Sequence, residues 1–194
     1  MGSDQLTLGF DTSAAHCAAA LLSGDEVLVA RSEDMARGQA ERLMPMIEEM
    51  LTRMGFGWSD VTRIGVGVGP GNFSGIRISV SAARGLALSL GIPAIGVSTF
   101  EATKRTAPEG SIPAVPAPQN QMYIAPEGES PRLVPHAEDG HTAWPPKPET
   151  LATNIALIAT EATAPFTRPA PLYIRSADAA PPRDAPPVIL DDDS

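Results

Sequence analysis

Ile64-Gly-Val-Gly-Val-Gly-Pro-Gly-Asn-Phe-Ser-Gly-Ile-Arg77 decides the fold: an apolar strand runs through a Gly-Pro-Gly turn straight into a helix. Such a junction is where α/β proteins approach phosphates or partners. Gly65, Gly67, Gly69, Gly71 and Gly75 give this backbone access to positive φ or to close approach by another backbone. The stretch fits no standard nucleotide fingerprint. Starting G-x-G-x-x-G at Gly65, Gly67 or Gly69 puts Pro70, Asn72 or Ser74 in the third glycine slot. A Walker A loop lacks its lysine, because Ile76 and Arg77 follow Gly75.

Working outward, Thr62 to Val68 is the strand entering the turn and Ser74 to Leu90 the helix leaving it, with Ser74 at or near its N-cap. Ile76, Val80, Ala83, Ala87 and Leu90 form one stripe of that helix, and the rest of its surface is mostly small residues. Upstream, Leu6 to Phe10, Cys17 to Leu22 and Glu26 to Ala30 read as three strands, joined by the polar turn Asp11-Thr12-Ser13 and the hairpin signal Ser23-Gly24-Asp25. From Gln39 the apolar residues Leu43, Ile47, Met50, Leu51 and Met54 take helical spacing, and Gly55 supplies the stop. Pro45 either moves that helix's start to near Leu43 or kinks it. Ala94 to Val97 is a fifth strand, so the first 106 residues read βββαβαβ.

Composition changes after Thr106, and 17 of the 20 prolines fall from Pro108 to Pro187. Proline interrupts both strand ladders and helix interiors, so residues 107–177 read as a small, loop-rich second lobe in which only Glu149 to Ala162 is helical. Residues 178–194 are Pro-rich and end in Asp191-Asp192-Asp193, the composition of a flexible acidic tail.

The 194 residues, 43% apolar and 19% charged, suit one good core. With a net charge of −9 and no basic run longer than Lys104-Arg105, the chain is not expected to grip tRNA or DNA by itself. The lone Cys17 excludes an internal disulfide and a Cys-based zinc site, and it reads as an inert buried thiol. No apolar run approaches the roughly 18 residues of a membrane helix, and the start carries no positive n-region; cytoplasm is the expected compartment. Met1-Gly2-Ser3 looks like a myristoylation start but has Leu6 where Ser or Thr is required, and reads as an expression leftover.

Phe10-Asp11-Thr12-Ser13, Gln39 to Ile47, Gly69 to Arg77 and Gly96-Val97-Ser98-Thr99 together resemble the TsaB (YeaZ) family of bacterial tRNA threonylcarbamoyladenosine biosynthesis. The resemblance covers residues 6 to about 106, and Pro171-Leu172-Tyr173-Ile174-Arg175 is similar to the family's C-terminal Tyr-Leu-Arg segment. It implies an α/β ASKHA fold, ribonuclease H-like and actin-like, with a βββαβαβ first lobe and here a shortened second lobe. Two positions depart from the family pattern. Gln39 stands where a His is usual, and Pro116-Ala117-Pro118 where an Asp-Ala-Arg segment is usual.

The resemblance also implies a role: a non-catalytic partner subunit that pairs with a TsaD-like catalytic subunit through first-lobe helices. A TsaE-like ATPase joins, tRNA is met only as part of the complex, and ATP/ADP and metal are held by the partner subunits rather than by this chain. Leu43, Met46, Ile47, Met50, Val80, Ala83 and Ala87 are the expected partner-binding residues, and the same face suits a homodimer. TsaD holds iron or zinc through two histidines four residues apart; the corresponding positions here are Thr99 and Thr103, poor ligands for a transition metal. His16, His136 and His141 are scattered and read as solvated loop groups rather than metal ligands. Asp11, Thr12, Ser13, Gly71 and Asn72 occupy the place of an ASKHA phosphate hairpin, and they read either as a nucleotide contact or as a locally capped hairpin. No Gly-x-Ser-x-Gly elbow surrounds Ser74, and no catalytic constellation emerges. The alternative to the subunit role is a small ASKHA-type ATP-dependent phosphotransferase using Asp11 and the glycine turn.

Overall fold

In the computed structural model, which describes residues 5–137 and 140–174, the first three strands form the meander that alternating apolar runs and polar turns predict. They are β1 (Leu6–Asp11), β2 (His16–Ser23) and β3 (Glu26–Asp34). Helix α1 (Gln39–Met54) then leads to β4 (Arg63–Gly67), α2 (Phe73–Leu90) and β5 (Ala94–Val97). The strands make one sheet in the order β3-β2-β1-β4-β5, antiparallel through the meander and parallel from β1 to β5. The βββαβαβ order expected from the sequence is the order observed. Helix α1 runs unbroken through the exposed Pro45 and stops at Gly55, whose φ of 78° allows its N–H to reach back to the carbonyls of Leu51 and Thr52.

The sheet is covered on both faces, and β2 shows why its sequence is apolar throughout. Its odd residues Cys17, Ala19 and Leu21 join Leu8, Phe10 and the buried sides of α1 and α2, while its even residues Ala18, Ala20 and Leu22 face the other way. That second face is covered by α4 (Pro148–Glu161), preceded by the short α3 (Thr99–Lys104). Helix α4 thus comes from the proline-rich half but packs on the first sheet, with Ala152 and Ala156 against β2 and Leu151 and Ile155 against Val97 and Ala102.

Small residues make this contact close. Gly9 and Gly65 are register partners on β1 and β4. A Cβ on Gly9 would stand 2.6 Å from both the Ala152 carbonyl oxygen and the Ala156 methyl, and one on Gly65 would stand 2.7 Å from the Ile155 carbonyl oxygen. Arg63 closes the far end of α4, its Nη1 donating to the carbonyls of Ala159, Thr160 and Ala162 at 2.7, 3.0 and 2.7 Å. A guanidinium there also meets the negative end of the helix dipole.

Residues 107–147 are more ordered than their prolines suggest. They form a second sheet, β8-β7-β6-β9, from β6 (Ile112–Ala117), β7 (Gln121–Ile124), β8 (Arg132–Pro135) and β9 (Thr142–Ala143). β9 pairs only with Ile112 and Pro113, so from Ala114 onward β6 is an edge on that side, where proline is tolerated. The tail at 178–194, Arg175 and the Met1-Gly2-Ser3 start lie outside the described residues. No helix among the described residues is long and apolar enough to cross a membrane.

On the outer edge, Arg31 and Arg42 bind Glu33 and Glu49 in a closed network joining β3 to α1, with N···O distances of 2.5 to 2.7 Å. The hydrogen bond from Arg42, followed by that from Arg31, holds the Glu49 carboxyl down at about 2, and Glu33 is lowered chiefly by Arg42. Both carboxyls are depressed in the folded state, so their contribution is complete above the ordinary value near 4.5 and is lost as pH falls toward 2. Thermal unfolding from pH 6 to pH 2 is expected to show the Glu49→Gln chain less stable than the parent at pH 6. The two should converge at pH 2, and the difference should shrink in 1 M salt.

A second outcome tests the α4 contact. Gly9→Val is expected to cost about 1–3 kcal/mol through overpacking against the α4 backbone, read from the denaturant midpoint. Gly57→Ala, whose added methyl meets nothing closer than 3.8 Å, should leave the midpoint nearly unchanged.

Candidate functional site

The glycine turn is shaped by what lies against it. A Cβ on Gly67 would fall 1.9 Å from Asp11 Oδ1, one on Gly71 would fall 2.3 Å from the Ser13 carbonyl oxygen, and one on Gly75 would fall 1.9 Å from the Thr12 carbonyl oxygen. Three glycines spaced by four residues therefore seat the Asp11-Thr12-Ser13 turn directly on the β4–α2 junction. The seat is then bolted by two hydrogen bonds: Thr12 Oγ1 donates to the Gly75 carbonyl at 2.7 Å, and the Asn72 N–H donates to the Ser13 carbonyl at 2.6 Å. The N-cap of α2 is Asn72, not Ser74, since Asn72 Oδ1 accepts from the Gly75 N–H at 3.0 Å and Ser74 already lies inside the helix.

Asp11 is fully buried. Its Oδ2 accepts from the Ser13 N–H and Oγ, both at 2.9 Å, and lies 2.8 Å from His16 Nε2. Oδ1 has no partner among the described residues. His16 is therefore a buried member of a carboxylate–imidazole pair, only 7% exposed, rather than the solvated loop group its isolation in sequence suggests. The signal was present, because a hairpin turn folds residues five apart back onto each other. Among the other two histidines, His136 stacks on Trp144 with ring centroids 5.2 Å apart.

Beside this pair a cleft of about 570 Å³ opens between the first sheet's turns and the second sheet. Ser13, His16, Gly71, Asn72 and Thr99 form one wall, and Val115 to Pro118, Tyr123, Trp144 and Leu151 contribute to the rest. The fold thus brings Ser13, Gly71 and Asn72 together at the cleft and keeps Asp11 and Thr12 behind it. None of the residues lining the cleft is Lys, Arg, Asp or Glu. Tyr123 and Trp144 were missed in sequence because the second sheet was.

Thr99 and Thr103 spend their hydroxyls on structure, Thr99 Oγ1 donating to the Pro70 carbonyl and Thr103 Oγ1 to the Thr99 carbonyl. Among the described residues no three His, Cys, Asp or Glu side chains converge to hold a metal ion. Cys17 is fully buried in β2, and burial pushes its thiol up to about 11, which makes it unreactive at neutral pH.

The expected partner-binding residues are placed differently from the expectation. Leu43, Met46, Ile47, Met50, Val80 and Ala83 are at most 2% exposed and build the core under α1 and α2; only Ala87 is half-buried. Helical periodicity identifies the face that is covered, and here the chain's own sheet covers it. The surface left open on α2 carries Ser74, Arg77, Ser81, Gly85 and Leu88, the last 78% exposed. A Cβ on Gly85 would meet nothing within 4 Å.

Known proteins match this chain as follows. A family model described as TsaD, tRNA N6-adenosine threonylcarbamoyltransferase, matches residues 32–139. The chain is 30% identical over 145 residues to the Escherichia coli (strain K12) tRNA threonylcarbamoyladenosine biosynthesis protein TsaB, a match covering 72% of this chain and 62% of that protein. The chain therefore spans less than two thirds of that relative's length. The solved structure of YeaZ from Pseudomonas aeruginosa superposes with a TM-score of 0.58 at 29% identity, covering 68% of this chain and 67% of that one. A crystal structure of an uncharacterized Pseudomonas aeruginosa protein with similarity to peptidase YEAZ gives a TM-score of 0.71 at 24% identity, over 88% of this chain and 100% of that one. These likenesses bear out the expected ASKHA-type α/β fold.

Gly75→Ala tests the seat. The added methyl meets fixed backbone, so a loss of about 1–3 kcal/mol in urea unfolding is expected. Gly85→Ala in the same helix, with open space, should instead gain up to about 1 kcal/mol from helix propensity.

Proposed function

The chain belongs to the TsaD family, on its TsaB (YeaZ) side, and on that footing we propose that it is the non-catalytic partner subunit of a bacterial tRNA threonylcarbamoyladenosine modification complex. In this reading it binds and supports a TsaD-like catalytic subunit. A TsaE-like ATPase joins the complex, nucleotide and metal are held by the partner subunits, and tRNA is met only within the assembly. Cytoplasm is the compartment where such a complex meets tRNA.

The observation that carries the reading, beside family membership, is the open face of α2. Leu88 is 78% exposed, and Gly85 stands bare in mid-helix, where glycine costs about 1 kcal/mol relative to alanine. Such a residue makes sense where another backbone lies close. Homodimerisation through this same face in the partner's absence is part of the proposal. A phosphotransferase reading is not favoured, since a cleft lined by no Lys or Arg offers nothing to neutralise a triphosphate.

Gly85→Arg and Leu88→Glu are expected to abolish complex formation with the TsaD-like subunit of the same organism in size-exclusion chromatography, with the thermal midpoint of the isolated chain not lowered by either and raised slightly by Gly85→Arg through helix propensity. Full complex with both variants would refute the assignment of this face. Calorimetry should find no micromolar Mg-ATP binding to the isolated chain; such binding, lost in Asp11→Ala, would favour the phosphotransferase.

A further inference from the structure

The cleft beside the Asp11–His16 pair has features that the subunit role leaves unused. Its volume of about 570 Å³ falls within the roughly 300–1,000 Å³ typical of small-molecule sites. Its lining is mainly apolar and includes no Lys, Arg, Asp or Glu. Two aromatic residues line it, Tyr123 and Trp144, and Trp144 stacks on His136.

One of the polar groups on this mainly apolar lining, the His16 ring, is set by Asp11. A carboxylate only accepts hydrogen bonds, so the hydrogen in the 2.8 Å contact belongs to His16 Nε2. In the neutral imidazole Nδ1 is then a lone-pair acceptor, and Asp11 fixes that tautomer and the ring's orientation together. Nδ1 has no hydrogen-bond partner among the described residues and is not closed off from solvent, and His16 lines the cleft. Ser13, donating both its N–H and its hydroxyl to the same Asp11 oxygen, holds the carboxylate in place. An acceptor pre-oriented on the wall of an apolar, aromatic cleft selects for a donor on an apolar body.

We propose that this cleft binds a small uncharged aromatic or heteroaromatic molecule carrying an O–H or N–H group, seating its ring against Tyr123 and Trp144 and donating its hydrogen to His16 Nδ1. The ligand is uncharged because the lining offers no counter-ion, and planar because the wall offers ring faces. The site lies away from the open face of α2, so it stands or falls independently of the pairing proposed above.

Donor-matched probes test this on the unaltered chain. Phenol against anisole, and indole against 1-methylindole, are titrated to about 50 mM, a range set by the weak binding expected of such small fragments. The readouts are the Trp144 indole N–H and His16 ring ¹⁵N resonances at pH 8. Saturable shifts of both resonances are expected, with phenol and indole binding about ten-fold tighter than their methylated counterparts, the effect of one net hydrogen bond gained. His16→Phe should erase that preference while ring binding, followed at Trp144, persists. The proposal is overturned if the methylated probes bind equally well, if no shift saturates, if the preference survives His16→Phe, or if Mg-ATP perturbs the same resonances at lower concentration. The comparison of probes on the parent chain decides the matter even where His16→Phe does not fold.

Discussion

Everything near the centre of this molecule depends on backbone meeting backbone without a side chain between. The Asp11-Thr12-Ser13 turn can rest on the β4–α2 junction only because Gly67, Gly71 and Gly75 are bare, and each added methyl would lie 1.9 to 2.3 Å from an oxygen of that turn. The same device recurs on the other side of the sheet, where Gly9 and Gly65 admit α4. Contacts this close leave no room for compensating rotamer changes, because what they meet is largely main chain. They fix the height of the helices above the sheet, and with it the width of the cleft beside His16.

A glycine-rich strand–turn–helix junction is commonly taken as a phosphate cradle, and here its glycines serve packing. The amide hydrogens that a cradle would offer are partly engaged: Asn72 N–H donates to Ser13 and Gly75 N–H to the Asn72 side chain. The carboxylate that an ASKHA enzyme would turn toward a metal is instead buried, satisfied on one oxygen by Ser13 and His16. Local hydrogen bonding is the stronger of the two readings for Asp11-Thr12-Ser13.

The first-lobe strands and helices were legible in the sequence because each is long, periodic and bounded by Gly or a polar turn, as Gly55 and Gly91 bound α1 and α2. The second sheet was not, because Pro113, Pro116 and Pro135 sit inside strands of four to six residues, where only the register of pairing reveals that Pro116 and Pro135 lie at edges and that Pro113 ends the pairing with β9. The site was half legible. Ser13, Gly71 and Asn72 do reach the cleft, but Tyr123 comes from the sheet that proline concealed and Trp144 directly follows its last strand. The stripe from Leu43 to Met50 misled for a different reason: a hydrophobic face states that something covers it, and a single sequence does not say whether that cover is the chain's own sheet or a partner's surface.

Charge then constrains what a chain of this kind can do. Five of its basic side chains, Arg31, Arg42, Lys104, Arg105 and Arg132, are paired to its own glutamates, and the net charge is −9. A nucleic-acid phosphate approaching these faces would meet internally neutralised guanidinium groups on an anionic body, and it would gain little from counterion release. In the proposed complex the grip on tRNA therefore falls to another subunit. On that proposal this chain contributes shape, through the open face of α2 at Gly85 and Leu88, and the close glycine contacts of the β4–α2 junction hold that helix at a fixed height above the sheet.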